Sequence, residues 1–446
     1  MSPHAAGRRR VHRSVATGLP LALAAVLVAA GTATAGSSGE AHVVRTATLG
    51  EIPLGTFSNA LLPGSVADDH GVKLGGIGSD IYPAGRRGEY WTVTDRGPNG
   101  QIKVAGKKRR TFPVPGFDPA IVKIRVSGDS VEVIDAIPLT TSSGKAVTGL
   151  PDQKSRDEAP YTYDAQTPLA YDPNGMDTEG VVRAGDGSFW LVDEYGPSLV
   201  HVSARGKVLT RYVPKGLALT GADYPVVEAL PSILLHRKTN RGFEGLALLP
   251  GGDLVMALQS PLQLPDADAG DASRTTRLLR FSPRKKAVTA EYAYRFDPVN
   301  VVDPGEDDTS ELKISSVVAV GRDRLLVEER TDKAARLQLV ELGRTSNILG
   351  GAWDDDTTSP SLEQLDDPAA SGVPVLSKRL VVDLGKVARV PGKIEGIARV
   401  DRDTLALVND NDFGMTDGAG AFDAQGRLID SGIKTTMVYV RLPKKL

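Results

Sequence analysis

Acidic and polar side chains recur in this chain at a fixed distance of 15 residues, each pair bracketing two short apolar runs. The pairs are Asp80 with Asp95, Glu179 with Glu194, Glu244 with Gln259, Ser315 with Arg330, and Glu395 with Asp410. In an antiparallel hairpin the residue that opens the first strand lies beside the one that closes the second, so each pair is expected at the open end of one hairpin. Carboxylates gathered in this way repel unless a cation or an arginine lies among them. Oxygen donors without cysteine and with few histidines suit a hard cation such as Ca2+. The expectation is one shared site, with Asp80, Asp95, Glu194, Glu395 and Asp410 as metal ligands and Glu179 and Glu244 as catalytic carboxyl groups. Taken singly, each acid could simply cap a turn; recurrence at one register favours the shared site.

Basic residues sit at the same hairpin ends: Arg96, Arg241 and Arg330, with Lys313 and Lys393 two positions before the repeat residue. Arginine binds carboxylate or phosphate oxygens bidentately, so Arg96, Arg241 and Arg330 are expected to hold a small anionic ester, or else to neutralise the acids. Other chemistries fail on composition. The chain has no cysteine, which excludes disulfides, thiolate nucleophiles and cysteine metal sites. His42, His70, His201 and His236 are isolated from one another, which argues against a zinc site or a serine–histidine–aspartate triad. Asp410-Asn-Asp412-Phe-Gly414 opens like a calcium loop, yet Ala421 stands at the twelfth position where an EF-hand needs glutamate.

The elements that would position these residues read as short β-strands separated by turns. Around residue 190 four consecutive strands are legible (179–183, 189–193, 199–202 and 208–213), the content of one propeller blade. The same reading works at 76–82, 90–94, 121–126 and 131–137. Self-similarity on this scale signals a repeat fold, so the expected class is all-β, a propeller of five or six four-stranded blades. The last unit supplies only three strands, and an N-terminal strand at 43–49 is expected to complete it. A sixth blade could lie within 140–171. The polar segments 140–172, 266–273, 303–311 and 353–374 read as surface loops.

The N-terminus carries Arg8-Arg9-Arg10, an apolar run from Leu19 to Ala30, and Ala33-Thr34-Ala35, the three parts of a secretory signal. Residues 1–35 are therefore expected to be a cleaved signal peptide and 36–446 one domain, secreted or extracytoplasmic, with no membrane span. Cleavage would remove four of the 53 basic residues, leaving 49 against 55 acidic ones, a net charge of −6. That balance gives no reason to expect a nucleic-acid partner.

Several of these stretches resemble the phytase-like family of secreted β-propellers, also called esterase-like activity of phytase. The resemblance rests on Asn240-Arg-Gly-Phe-Glu-Gly-Leu-Ala247, Asp177-Thr-Glu-Gly-Val181 with Trp190-Leu-Val-Asp-Glu-Tyr-Gly196, Tyr90-Trp-Thr-Val-Thr-Asp-Arg-Gly97 and Ile394-Glu-Gly-Ile-Ala398. It covers residues 50 to 442. It implies an exported propeller that hydrolyses phosphoester or other ester bonds, with calcium by similarity to β-propeller phytases. The expected function is thus phosphoester hydrolysis by Ca2+-assisted attack of water. A non-catalytic ligand- or protein-binding propeller and a lactonase-like esterase are the alternatives.

Overall fold

The structure, a computed structural model, describes residues 39–62 and 66–446; the signal-peptide reading of residues 1–35 falls outside them. The chain starts with β1 (His42–Leu49) and then builds β2 (Ile81–Pro83) and β3 (Glu89–Val93). A hairpin, β4 (Gly100–Val104) and β5 (Lys107–Thr111), leaves the blade before β6 (Ala120–Ser127) and β7 (Ser130–Pro138) complete it. The short β8 (Pro160–Tyr161) pairs with β5 rather than opening a sixth blade. The second blade is β9 (Thr178–Arg183), β10 (Phe189–Asp193), β11 (Ser198–Val202) and β12 (Val208–Pro214), with β13 (Val226–Leu230) added in parallel at its outer edge. The third is β14 (Phe243–Leu248), β15 (Leu254–Leu258), β16 (Thr275–Ser282) and β17 (Ala287–Arg295). The fourth is β18 (Val317–Ala319), β19 (Arg324–Arg330), β20 (Ala335–Glu341) and β21 (Lys378–Asp383). The fifth is β22 (Ile394–Arg399), β23 (Thr404–Asn409) and β24 (Thr436–Arg441), completed by β1.

The inner strands β2, β9, β14, β18 and β22 contact one another in that order, and β22 returns to β2, so the five blades of the described residues form a closed ring. Closure is made by β1, which pairs antiparallel with β24 from His42 to Thr48. It also pairs in parallel with β7 at Thr48 and Leu49, tying the fifth blade to the first. The pairing satisfies backbone groups that an open edge would expose.

Strand side chains alternate between faces, and each blade lies between two others, so its second strand is buried on both faces, with only Arg324 at the start of β19 exposed. Phe189 and Leu191 pack with Trp91 and Val93 against the first blade. Trp190 and Val192 pack with Met256 and Phe281 against the third. That two-sided burial explains why Phe189-Trp-Leu-Val-Asp193 is almost continuously apolar instead of alternating. Two of the polar loops are anchored rather than free. Arg277 donates to Glu291 Oε1 (2.7 Å), to the Trp353 carbonyl (2.7 Å) and to Glu363 Oε1 (2.8 Å), which ties 353–363 to the third blade. Arg211, fully buried, bonds Asp152 at 2.7 Å and also Asp193, which ties the 140–172 segment to the second.

Candidate functional site

Three registers of the repeat converge at one mouth of the ring. The backbone N–H of Glu194, Gln259, Arg330 and Asp410 donates to the carbonyl of Asp177, Gly242, Lys313 and Lys393 respectively, each 17 residues earlier. The residue two positions after each of these openers faces the axis. In β14 and β22 that residue is the extra one of a β-bulge: the pairing steps from Phe243↔Leu258 to Gly245↔Ala257, and from Ile394↔Asn409 to Gly396↔Val408. Glu244 and Glu395 are therefore unpaired in the ladder and turn inward, as bulged residues are often re-aimed. In β9 the register also shifts across Glu179, between Thr178↔Asp193 and Val181↔Leu191.

The result is a cavity of about 430 Å³ whose lining includes Asp95, Arg96, Asp177, Glu179, Glu194, Arg241, Glu244, Arg330, Glu395 and Asp410. Nine of the ten residues expected from the sequence thus meet in one place. Asp80 does not. Its neighbour Ser79 lines this cavity, while Asp80 lines a smaller one further along the ring axis with Val182, Leu246, Val317 and Ile397. The turn of the first hairpin closes from Ala84 N–H to the Glu89 carbonyl, one residue longer than the Ala184–Ser188 turn of the second. A count of 15 back from Asp95 therefore lands one residue late, at the position that glycine holds in Gly180 and Gly396. Asp80 instead links blades, accepting from the N–H of Ile81 (2.8 Å) and of Val181 (3.0 Å).

Asp177 belongs with the acids, although the 15-residue spacing does not include it. Its carboxylate pairs with Arg96 Nη1 at 3.1 Å and also accepts from the Arg96 backbone N–H. Two groups of three carboxylates bring oxygens within 4.8 Å of one another: Asp177, Glu179 and Glu194, and then Glu179, Glu244 and Glu395. Glu179 is in both. Burial first, and then Glu244, Asp177 and Glu194, push the Glu179 carboxyl well above its ordinary range. Burial and Glu244 do the same to Glu194. Asp95 and Asp410 line the cavity outside these groups. Burial raises both, and Asp410 is pushed up to about 7 against the opposing pull of Lys393, whose Nζ is 2.8 Å away.

Basic side chains line the same cavity. Arg330 is fully buried; its Nε donates to Ser315 Oγ (2.7 Å), its Nη1 lies 3.0 Å from Asp332 Oδ1, and its Nη2 bonds Glu395. Ser315 Oγ in turn is 3.2 Å from Glu244 Oε1. Lys313 pairs with Asp332 at 2.8 Å, and Arg241 reaches Ser260 Oγ at 3.0 Å. Asp332, Asp412 and Asn240 also line the cavity; they lie just outside the repeat registers, so spacing gave no signal for them. Glu244 is 3% exposed and its Oε2 has no hydrogen-bond partner. That unpartnered oxygen, in a triad with Glu179 and Glu395 that Arg330 reaches from one side at 3.9 Å from Glu244 Oε1, fits a hard divalent cation held by carboxylate oxygens.

Comparison with known proteins bears on this geometry. The family model described as "Phytase-like: Esterase-like activity of phytase" matches residues 72–413. A curated protein of Arthroderma benhamiae, described as an uncharacterized secreted protein, is 25% identical over 303 residues, 59% of this chain and 59% of its own length. The chain thus spans less than two thirds of that relative. Among solved structures, the PQQ-bound aldose sugar dehydrogenase of Streptomyces coelicolor is 10% identical with a TM-score of 0.33, covering 91% of this chain and 98% of that one. The calcium-binding protein regucalcin of Agrobacterium tumefaciens is 11% identical with a TM-score of 0.33, covering 83% and 90%. Likeness at that level assigns no chemistry to this chain.

Proposed function

The chain belongs to the phytase-like family, esterase-like activity of phytase, and from that premise we propose an extracytoplasmic hydrolase of anionic esters, phosphoesters foremost, acting in the axial cavity. The observation that carries the reading is a single cavity that gathers two carboxylate triads sharing Glu179 and interleaves them with Arg96, Arg241, Lys313 and Arg330. The extracytoplasmic setting is supported by the signal-like residues 1–35 and by the curated relative's description as secreted. Among the described residues no helix is long and apolar enough to cross a membrane.

Arg241, Lys313 and Arg330 would hold the non-bridging oxygens of the ester, where charge grows in the transition state. Glu179 would accept a proton from the attacking water as its oxygen bonds to phosphorus and the bond to the leaving oxygen breaks. Asp410, whose carboxyl can hold a proton near pH 7, would return one to the leaving group. Asp177, Glu179, Glu194, Glu244 and Glu395 are the residues that would hold a cation such as Ca2+. When bound, that ion supplies the positive charge that lets these carboxylates ionise together and offsets charge on the substrate.

The test is a substrate panel of phytate, simple phosphomonoesters and phosphodiesters, carboxyl esters and lactones, run with calcium and with chelator on wild type and Glu179→Gln. Chelator-sensitive phosphate release that the variant loses is the expected result. Release of carboxylic acid instead would replace the substrate class with that of an esterase or lactonase. No turnover on any substrate would make the cavity a binding site only.

A further inference from the structure

The three-stranded sheet outside the blades, β4, β5 and β8, stands beside the cavity. Its hairpin turns at Ala105-Gly106, both with positive φ (49° and 81°), and Lys103, Lys107 and Lys108 are exposed around that turn. The register pairs Gln101 with Arg110 and Lys103 with Lys108. Since alternate residues share a face, Arg110, Lys108 and Lys103 lie on one side of the hairpin. Arg110 lines the axial cavity, with its Nε 2.8 Å from Glu158 and its Nη1 3.1 Å from Asn99. The face therefore begins at the rim of the site and ends in solvent.

Lys103 and Lys108 lie directly opposite each other, an arrangement that destabilises a hairpin. Among the described residues neither forms an ion pair, whereas Arg110 and Lys393 at the rim are each neutralised. A chain with more acidic than basic residues overall thus places Lys103, Lys107 and Lys108, among the described residues without an ion pair, on one short hairpin, while Arg109 is held by the Ala165 carbonyl at 2.6 Å and the Tyr161 ring. Successive same-face residues are about 6.7 Å apart along a strand, so the uncompensated positive charge of the lysine pair begins one such step beyond Arg110, whose own charge Glu158 offsets. A single phosphate group held at the rim would not reach that pair, whereas a longer polyanion would.

We infer that this face is a docking strip for a linear phosphate polymer whose end enters the axial cavity. The choice of phosphate rests on the hydrolase reading; the docking of a polyanionic chain does not. The test measures the binding of labelled long-chain inorganic polyphosphate and of tripolyphosphate by fluorescence anisotropy over a range of salt concentrations. Wild type should prefer the long chain, with affinity falling steeply as salt rises. Removing two charges in Lys103→Gln/Lys108→Gln should lower the log–log salt slope by about 1.4, taking ~0.7 per neutralised phosphate on a single strand. The same variant should leave tripolyphosphate affinity unchanged and raise the melting temperature, because the like-charge pair is gone. Lys103→Glu, which creates an opposite-charge pair with Lys108 and so protects the hairpin, should also lose the long-chain preference. Variants that keep the wild-type slope and chain-length preference would overturn the strip even if small phosphomonoesters are still hydrolysed. If binding responds as expected while no phosphoester is turned over, the hydrolase reading fails and the strip stands.

Discussion

Replacing Glu244 by glutamine should make the cation-free protein no less stable while removing its response to calcium. Two ionised carboxylates at the 4.8 Å limit of the triads repel by roughly 3.5 kcal/mol at an effective dielectric of about 20. Three such pairs in the Glu179–Glu244–Glu395 group would then cost on the order of 10 kcal/mol, comparable to the whole stability of a domain. Arg330, paired with Glu244 and Glu395, offsets part of that repulsion, and without a further cation the group stays partly protonated, which agrees with the raised carboxyls of Glu179, Glu244 and Glu395, all raised first by burial. Glutamine keeps the contact with Ser315 Oγ; it removes the repulsion with both Glu179 and Glu395 and gives up one attraction, to Arg330 at 3.9 Å, so the cation-free variant is relieved on balance. For wild type, calcium at 100 times its dissociation constant stabilises by about 2.7 kcal/mol. Over a domain of roughly 400 residues, at about 2.1 cal/mol/K per residue, that is a rise in melting temperature of ~3 °C. Thermal unfolding of both proteins, with chelator and then with increasing calcium, checks it. The expected variant melts no lower than wild type in chelator and shifts by less than about 1 °C with calcium. A variant that is less stable in chelator yet keeps the full calcium shift would refute the reasoning, because Glu244 would then be a structural acid outside the ion's reach.

Other outcomes follow from the same geometry. In chelator the melting temperature should fall as pH rises from about 5 to 8, since a carboxyl raised on folding contributes stability below its unfolded pKa and loses it through its folded one; Asp410, raised to about 7, loses its share within that range, and calcium should restore most stability at pH 8. Asp80→Asn should leave the calcium shift intact while Glu179→Gln abolishes it, a contrast that equal effects in the two variants would contradict. Arg211→Met should cost about 3–5 kcal/mol in urea unfolding by leaving Asp152 and Asp193 buried without their partner; a loss below ~1 kcal/mol would show that the pairs are not desolvated.

The repeat makes the ring and its polar mouth legible in the sequence, because the inner strands repeat both a charge and a small residue at fixed spacing. The N-terminal closing strand was equally visible: the fifth unit lacks a strand, and 43–49 has the length and apolar pattern to supply it, as β1 does. What failed were features fixed by backbone geometry rather than residue type. Asp80 was misplaced because one added turn residue moves the count. Asp177 was passed over because its register holds glycine in Gly242 and lysine in Lys313 and Lys393, so residue chemistry at that position does not repeat. The 353–374 loop read as free surface because Glu363, the acid that buries against Arg277, looks like any other loop carboxylate in sequence.

The bulges also explain how acids can occupy strands that are otherwise core. In an unbroken β14, Phe243 would share a face with Ala247, which packs toward the fourth blade. It packs instead with Leu246 toward the second, a change of parity that one inserted residue produces. Ile394 does the same with Ile397, while Ala398 faces the first blade. Glu244 and Glu395 are the inserted residues, so each leaves the alternation and turns to the axis without displacing an apolar neighbour, whose burial contributes about 1.5–3 kcal/mol. Glycine follows in each case. A Cβ at Gly396 would lie 2.9 Å from the Asp80 backbone carbon and 2.6 Å from Val408 Cγ1, too close for the inner strands to meet. The recurring glutamate–glycine pair therefore joins two requirements, with the glutamate supplying charge to the axis and the glycine letting adjacent blades approach closely enough for those charges to share one cavity.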